Sequence, residues 1–354
     1  MKTTSFDFEM GSHPMPTDPV ELRGRERTDG RMIVLDRGKN AIEHRIFFDI
    51  YEYFRAGDLL VLNDSYMLSN TLQFTCGGQA ATVIVYGHES DHSCMVEVRP
   101  RELAKAGLGL RSVDDEQLAC TLLAPYPDHI WKAKFEPSAR LIRALESHGT
   151  RSDETVPLNP GHWQENPAAY RSVYAKSPGS LEIPSAGLHF STGLLDRIAA
   201  KGVELAYVTL HVGSTELLAV RHIEAEHVED HRVREEFFDV PGESAAKISR
   251  ALAEGRRIFA VGTTVVRTLE SLAADGPFDG VIRPQSGWTG LYIYPGYDFK
   301  IVDAVLTNLH RPRSSHIVLT AAFAGQELLM RAYDELLSVG GYEFDMFGDS
   351  MLIV

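Results

Sequence analysis

The sequence predicts an α/β protein interrupted by an inserted all-β domain, and three features predict it. From about residue 180 onward, short apolar runs rich in β-branched residues alternate with amphipathic stretches of helical period. Residues 30 to 63 share that character. Between about 66 and 150 the pattern changes to short alternating runs cut by Gly, Pro, Asp and His. With 354 residues, 44% of them hydrophobic, the chain is long enough for two cores. The expected division is a discontinuous α/β domain, 1–65 and 151–354, around a β domain, 66–150.

In the insert, NTLQFTC, ATVIVYGHE, CMVEVRP, LACTLLAPY and HIWKAKFE read as five or so antiparallel strands. Ser191 is the expected N-cap of a helix over 191–201, with Leu194, Leu195, Ile198 and Ala199 on one face and Gly202 as its stop, followed by a strand over 203–212. SAAKISRALAEG is a helix ending at Gly255. The strand RRIFAV then leads through Gly262-Thr263-Thr264 into the helix VVRTLESLAA. LYIYP, FKIVDAVLTNLH, a helical region from Ser315 to Val339 broken near Gly325, and a terminal MLIV strand complete the pass. No internal repeat is evident.

No apolar run is long enough to span a bilayer, and MKTTSFDFEMGSH lacks signal-peptide character, so a cytoplasmic protein with no membrane partner is expected. Cys76, Cys94 and Cys120 have no C-x-x-C spacing, which points to buried thiols rather than a disulfide framework or zinc site. A net charge of −14 offers no general attraction to nucleic acid, although a local basic patch is a matter of distribution.

Residues with chemistry cluster at the ends of the expected strands. The Val261-Gly262-Thr263-Thr264 turn sets free N–H groups at a helix N-terminus, suited to a carboxylate or phosphate; the plain alternative is that Thr263 or Thr264 is an N-cap. Arg267 and Glu270, three apart, read equally well as a surface pair. Ser185-Ala186-Gly187-Leu188-His189 is a small-residue turn that lets backbone approach a ligand and delivers a histidine. Thr209-Leu210-His211-Val212-Gly213 puts a second histidine at the C-terminal end of a buried strand, where ligands bind in parallel α/β sheets. Either histidine is alternatively structural. His227-Val228-Glu229-Asp230-His231 departs from the H-E-x-x-H order and reads as a solvated charged stretch; no metal site is expected. G-L-G-L at 107–110 lacks the third glycine of a dinucleotide turn.

Taken in order along the chain, FDFEM, GDLLVLND, VYAKSPGS, PSAGLHF, VTLHVG, AVGTTVVRTLES, GWTGLYIYPGYDFKIVDAVLTNLH, AAFAGQELLMRAYDE and FGDSMLIV resemble the successive blocks of the S-adenosylmethionine:tRNA ribosyltransferase-isomerase family of queuosine biosynthesis. That resemblance implies a barrel-like α/β domain carrying an inserted β-barrel-like domain. It also implies a reaction in which the ribosyl part of S-adenosylmethionine, a co-substrate, moves to a 7-aminomethyl-7-deazaguanine base in tRNA and rearranges to an epoxycyclopentane, with adenine and methionine released. His189 and His211 are then the candidate catalytic residues. Ser185, Gly187, Gly213, Thr263, Thr264 and Arg267 are candidate S-adenosylmethionine ligands, and Trp288, Tyr294 and Phe323 candidate walls for its sulfonium or adenine.

Several blocks depart from the family pattern. T-R-V-x-x-A-R after Asn63-Asp64 is here Ser65-Tyr66-Met67-Leu68-Ser69-Asn70-Thr71, which loses both arginines. The P-P-Y-I-x-R segment is Asn159-Pro160-Gly161-His162-Trp163-Gln164, and A-A-P-T-A-G has become Glu182-Ile183-Pro184-Ser185-Ala186-Gly187, which adds a carboxylate. H-V-G is followed by Ser214-Thr215-Glu216-Leu217 rather than A-G-T-F, and N-F-H-L-P-x-S is Asn308-Leu309-His310-Arg311-Pro312-Arg313-Ser314. The lost arginines and the net charge of −14 lead to an expectation of weak, nonspecific tRNA binding, for which new basic residues, Arg232, Arg234, Arg311 and Arg313, could compensate. These departures keep two further readings open: a paralogue using S-adenosylmethionine on a non-tRNA acceptor or cleaving it, and a non-catalytic binding protein.

Overall fold

The computed structural model describes residues 1–151, 158–214, 222–274 and 276–354. Its α/β part is built on a nine-stranded sheet in the order Gln285–Thr289, Glu236–Val240, Glu204–Leu210, Leu59–Asn63, Ile258–Val261, Ala304–Asn308, Ser350–Ile353, Arg31–Asp36, Ala41–Ile46. The four strands Glu204–Leu210, Leu59–Asn63, Ile258–Val261 and Ala304–Asn308 run parallel to their neighbours in that order. Antiparallel strands flank them at both ends, and Arg31–Asp36 again runs parallel to Ser350–Ile353.

The apolar runs of these strands are continuous because both faces of the sheet are covered. Leu59, Val61, Ala206 and Val208 point into one core with Ala245, Ile248, Val266, Leu269 and the helices after residue 315. Their neighbours Leu60 and Leu62 point into the other, against Ile50, Leu194, Leu195 and Ile198. Local signals set the helix ends. Ser191 Oγ accepts from the Leu194 amide at 3.2 Å to start helix Thr192–Ala200, and Gly202, at φ +91°, turns the chain into Glu204–Leu210. Gly255 closes helix Gly242–Ala253, and Gly325 separates Ser315–Ala324 from Gln326–Val339. LYIYP forms no strand; Gln285–Thr289, just before it, pairs with Glu236–Val240 instead.

Six strands form a closed antiparallel barrel: Thr71–Cys76, Gln79–His88, Cys94–Arg99, Gly109–Ser112, Ala119–Pro125 and Trp131–Glu136, sealed by pairing of the last two. The strand absent from the sequence reading, Gly109–Ser112, has only four residues and a glycine at its start, too short for alternation to register. Helix Ala139–Ser147 lays Leu141, Ala144 and Leu145 on the barrel core. Cys94 and Cys120 are buried there and Cys76 is half-buried, all as free thiols. Chain connectivity is carried by a short parallel pair, Ser65–Met67 with Ser177–Ser180, so the barrel sits beside the edge where the parallel strands end. Among the described residues no helix is long and apolar enough to cross a membrane.

Candidate active site

Parallel strands aim their C-terminal ends the same way, and the polar residues that follow them gather on one edge. Asn63 ends its strand with Oδ1 accepting from the amides of Leu210 (3.0 Å) and Ser65 (3.1 Å), which ties two strand ends together. After Ile258–Val261, Gly262 turns with φ +88° and ψ 153°, a conformation restricted almost to glycine. A Cβ there would also meet Thr264 Oγ1 at 3.3 Å and Ala186 at 3.5 Å. Gly262, not either threonine, is the N-cap of helix Thr263–Ser271, and no side chain caps it. The amides of Thr263 and Thr264 precede the first amides that donate within the helix, those of Val265 and Val266 to the Gly262 carbonyl, and remain donors at its positive end.

These donors border a cavity that also takes in Asn63, Glu182, Ser185, Gly187, Asn308, His310 and Asp345. Glu182 and Asp345 are both buried, and Asp345 forms an ion pair with Arg311 at 2.5 Å. His310 Nε2 shares a 2.8 Å hydrogen bond with Thr307 Oγ1, and its ring stacks on His316 at 5.1 Å between centroids. Gly187 lines this cavity for a reason other than ligand approach: a Cβ at this position would collide with the Tyr174 hydroxyl. A second cavity continues from the first through Val212, Thr263 and Thr264 and reaches Gly213, Glu236, Arg267 and Tyr292.

Arg267 is committed to the protein. It pairs with the buried Glu236, and it donates to the carbonyls of Leu291 (3.0 Å) and Thr289 (3.2 Å). Glu236 also accepts from the Gly213 amide at 3.0 Å, so the pair fixes the wall between helix Thr263–Ser271 and the strand-end loop. Glu270 is no partner of Arg267. Fully buried, it accepts from the amides of Lys300, Ile301 and Val302 at 2.9 to 3.1 Å, while burial pushes its carboxyl upward.

The two histidines lie in different cavities. His211 faces the space between sheet and barrel, its ring stacked on Phe237 at 5.7 Å. Gly179 makes room for it, since a Cβ there would stand 2.6 Å from the imidazole. Burial, aided by nearby His88, lowers His211 to about 4, so the ring is neutral near pH 7. His189 instead lines a cavity with Arg23, Arg27, Gly30 and Asp349, which meets the Thr263 cavity at Ser185 and Met346. Its ring stacks on Phe47 at 5.0 Å, and burial lowers it to about 4 against the opposing pull of its bond to Asn308. Asn308 Nδ2 donates to the carbonyls of Asp345 and Met346, both at 3.0 Å, which leaves Oδ1 as the acceptor for His189 Nε2 at 3.3 Å. His189 therefore carries its proton on Nε2 and keeps a lone pair on Nδ1.

Of the aromatic candidates, Trp288 joins His211 beside the barrel, edge-on to Phe237 at 5.8 Å. Tyr294 packs on the main core and Tyr292, and it is Tyr292 that reaches the cavity. Phe323 is not a cavity wall: it is buried in helix Ser315–Ala324 against Phe299, with the Arg37 guanidinium 4.0 Å from its ring centre. Its apolar neighbours in AAFAG mark a core helix, and the sequence pattern alone does not say which face a ligand sees. The HVEDH stretch is only partly solvated: His231 is buried against the Tyr292 ring, and Glu229 holds the N-terminal amine. Thr215, Glu216 and Leu217 lie outside the described residues.

Sequence reasoning assigned no role to Glu182, Glu236, Asn308, His310 or Asp345. The polar residues Asn308 and His310 at the end of a buried strand are a usable signal; Asp345, in a loop far along the chain, offers none.

A family profile described as queuosine biosynthesis protein matches residues 3–353. The chain belongs to the queuosine biosynthesis protein family. Among relatives called S-adenosylmethionine:tRNA ribosyltransferase-isomerase, those of Thermotoga maritima and Symbiobacterium thermophilum are 40% and 39% identical, each covering all of both chains. That of Natranaerobius thermophilus is 36% identical over all of this chain and 99% of its own. The crystal structure of the Thermotoga maritima S-adenosylmethionine tRNA ribosyltransferase aligns with 99% of this chain and all of its own at 34% identity and a TM-score of 0.55.

Proposed function

We propose that this member of the queuosine biosynthesis family is an S-adenosylmethionine:tRNA ribosyltransferase-isomerase, moving the ribosyl part of S-adenosylmethionine onto the aminomethyl group of a 7-deazaguanine base in tRNA. The observation that carries the reading, beside family membership, is the meeting of the Ser185–His189 turn, the end of strand Glu204–Leu210 and the Gly262 turn on connected cavities at one sheet edge. The Thr263 and Thr264 amides suit the methionine carboxylate, and Glu182 and Asp345 suit the cationic part of the donor.

In the reaction a sulfonium acidifies the neighbouring 5′ carbon. A neutral base takes that proton, and adenine leaves C1′ as it is protonated. The amine nitrogen bonds to C1′ with loss of a proton, and the bond from C1′ to the ring oxygen opens as the 5′ carbon bonds to C1′ and closes the carbocycle. Methionine departs when the epoxide oxygen closes on the carbon that held sulfur. His211 and His189 are the proton carriers in this reading: burial keeps both neutral near pH 7, each with a ring nitrogen lone pair to accept a proton. The same reading treats 66–150 as a separate domain and places the protein in the cytoplasm with its RNA. Arg232 and Arg234 are exposed, and Arg234 borders the cleft, a local positive charge on an acidic chain.

Incubating the protein with S-adenosylmethionine, with and without tRNA bearing the deazaguanine base, tests this by mass spectrometry. Adenine and methionine released only with the RNA is the expected result. Release without RNA supports a non-tRNA acceptor, and binding without release a non-catalytic protein.

A further inference from the structure

The cavity between the barrel and the main sheet has walls unlike those of its neighbours. On the sheet side the rings of Phe237 and Trp288 stand edge to face at 5.8 Å. The opposite wall is Phe135 of the barrel with Leu141 and Ile142 of helix Ala139–Ser147. Including its mouth the space is about 910 Å³, within the ordinary range for a pocket enclosing a small planar molecule. Polar residues share the lining with these rings, His92, Ser93, Ser138 and Glu236 among them. His88 and His211 border it, and His88 Nε2 and His211 Nδ1 have no hydrogen-bond partner among the described residues. Glu89 and Glu235 stand at its edge, Glu235 exposed. The cavity shares Gly213 and Glu236 with the one that continues to Thr263 and Thr264.

We propose that this cavity receives the acceptor nucleobase, swung out of its RNA, with its plane along Trp288 and its aminomethyl arm directed past Gly213 toward the donor. The proposal rests on the reading given under Proposed function and adds the place of the second substrate. A base stacked on its RNA neighbours cannot present its amine to a sugar held in a neighbouring cleft, and extrusion between aromatic and apolar walls solves that problem. Charge agrees with the assignment: a protonated aminomethyl group and the N–H edge of a guanine-type base both seek acceptors, and the carboxylates of Glu89 and Glu235 line the cavity. Connection agrees too, because donor and acceptor must meet without crossing solvent, and the shared Gly213–Glu236 wall is the passage.

The test uses the full chain, S-adenosylmethionine, and an anticodon stem-loop carrying the aminomethyl-deazaguanine base. Trp288→Ala should raise the RNA KM roughly 5- to 150-fold, the loss of one base–aromatic stack, while S-adenosylmethionine affinity by calorimetry stays as in wild type. Trp288→Phe should restore most of it. Ile142→Trp, on the far wall, should close the cavity and weaken RNA but not S-adenosylmethionine, whose unchanged affinity also reports that each variant is folded. An RNA KM untouched in both Trp288→Ala and Ile142→Trp, or S-adenosylmethionine affinity lost in their place, overturns the assignment while leaving the ribosyl transfer standing. Absence of adenine release from wild type with modified RNA overturns the transfer itself and this proposal with it.

Discussion

The cavity under the Gly262 turn and the cavity under the barrel lie side by side on one sheet edge, yet they are lined by opposite chemistry. The first is polar: helix N-terminal amides, buried carboxylates, Asn63, Asn308 and His310. The second is walled by Phe135, Leu141, Phe237 and Trp288, with imidazoles as its main polar surface. The difference follows from what each is built on. Parallel strand ends supply unpaired backbone donors and the side chains that follow them, whereas the second cavity opens onto the edge of the barrel core, where Phe135 and Leu141 face Phe237 and Trp288 of the sheet. A charged amino-acid-bearing donor belongs in the first and a planar base in the second.

The largest effect should come from the histidine in the barrel-side cavity. His211→Ala is expected to lower turnover about 10²–10⁴-fold with little change in S-adenosylmethionine affinity, read by steady-state kinetics and calorimetry. A structural histidine would reduce stability and leave turnover per folded molecule alone. His189→Ala sharpens the contrast: if its cavity is catalytic it should match His211→Ala, and turnover near wild type would confine proton transfer to the barrel side.

Arg267→Met removes the partner of buried Glu236, which lines both the barrel cavity and the cavity that continues to Thr263 and Thr264. Leaving that carboxylate unpaired should cost about 3–5 kcal/mol in denaturant unfolding and weaken both substrates together. Weakening of only one would place the wall on that side alone.

Gly187→Ala acts on the polar cavity only. Its new methyl meets the Tyr174 hydroxyl, so a loss of about 1–3 kcal/mol is expected, partly recovered by adding Tyr174→Phe. RNA affinity should be spared.

The smallest effect is a pH slope. His88, His189 and His211 are held to about 4 by burial against an ordinary 6.5, so the unfolded chain takes up protons that the folded one refuses as pH falls from about 6.5 to about 4. Their contribution to stability is present above that window and lost through it. Asp349 works the other way: burial raises it from 3.8 to about 6, so it gains stability as pH falls across nearly the same range. Glu270 and Asp239, also raised by burial, act with Asp349, but the three depressed imidazoles set the net sign, and the urea midpoint should drop between pH 6.5 and 4. Replacing His88 by Gln should flatten the curve; an unchanged slope would contradict its burial as a neutral ring.

The helix after Ser191, the strand Glu204–Leu210 and the Gly262 turn were legible because each is set by neighbours in sequence: a cap, a stop glycine, a β-branched run. The site was legible only where function sits on such a turn. Glu182, Asn308 and Asp345 reach one cavity from segments far apart, and no local period announces that meeting. Arg267 shows the same limit from the other side, since its spacing to Glu270 suggested a pair that burial and the backbone at 300–302 forbid. Phe323 and Tyr294 were aromatic residues beside functional blocks, but adjacency in sequence put them in the core.

The division of the two substrates between the two cavities is tested most directly by a crystal structure of the protein with S-adenosylmethionine bound. The account predicts the methionine carboxylate on the amides of Thr263 and Thr264, with the space between Trp288 and Leu141 left open for the base. S-adenosylmethionine stacked on Trp288 beneath the barrel, away from Gly262, would contradict it.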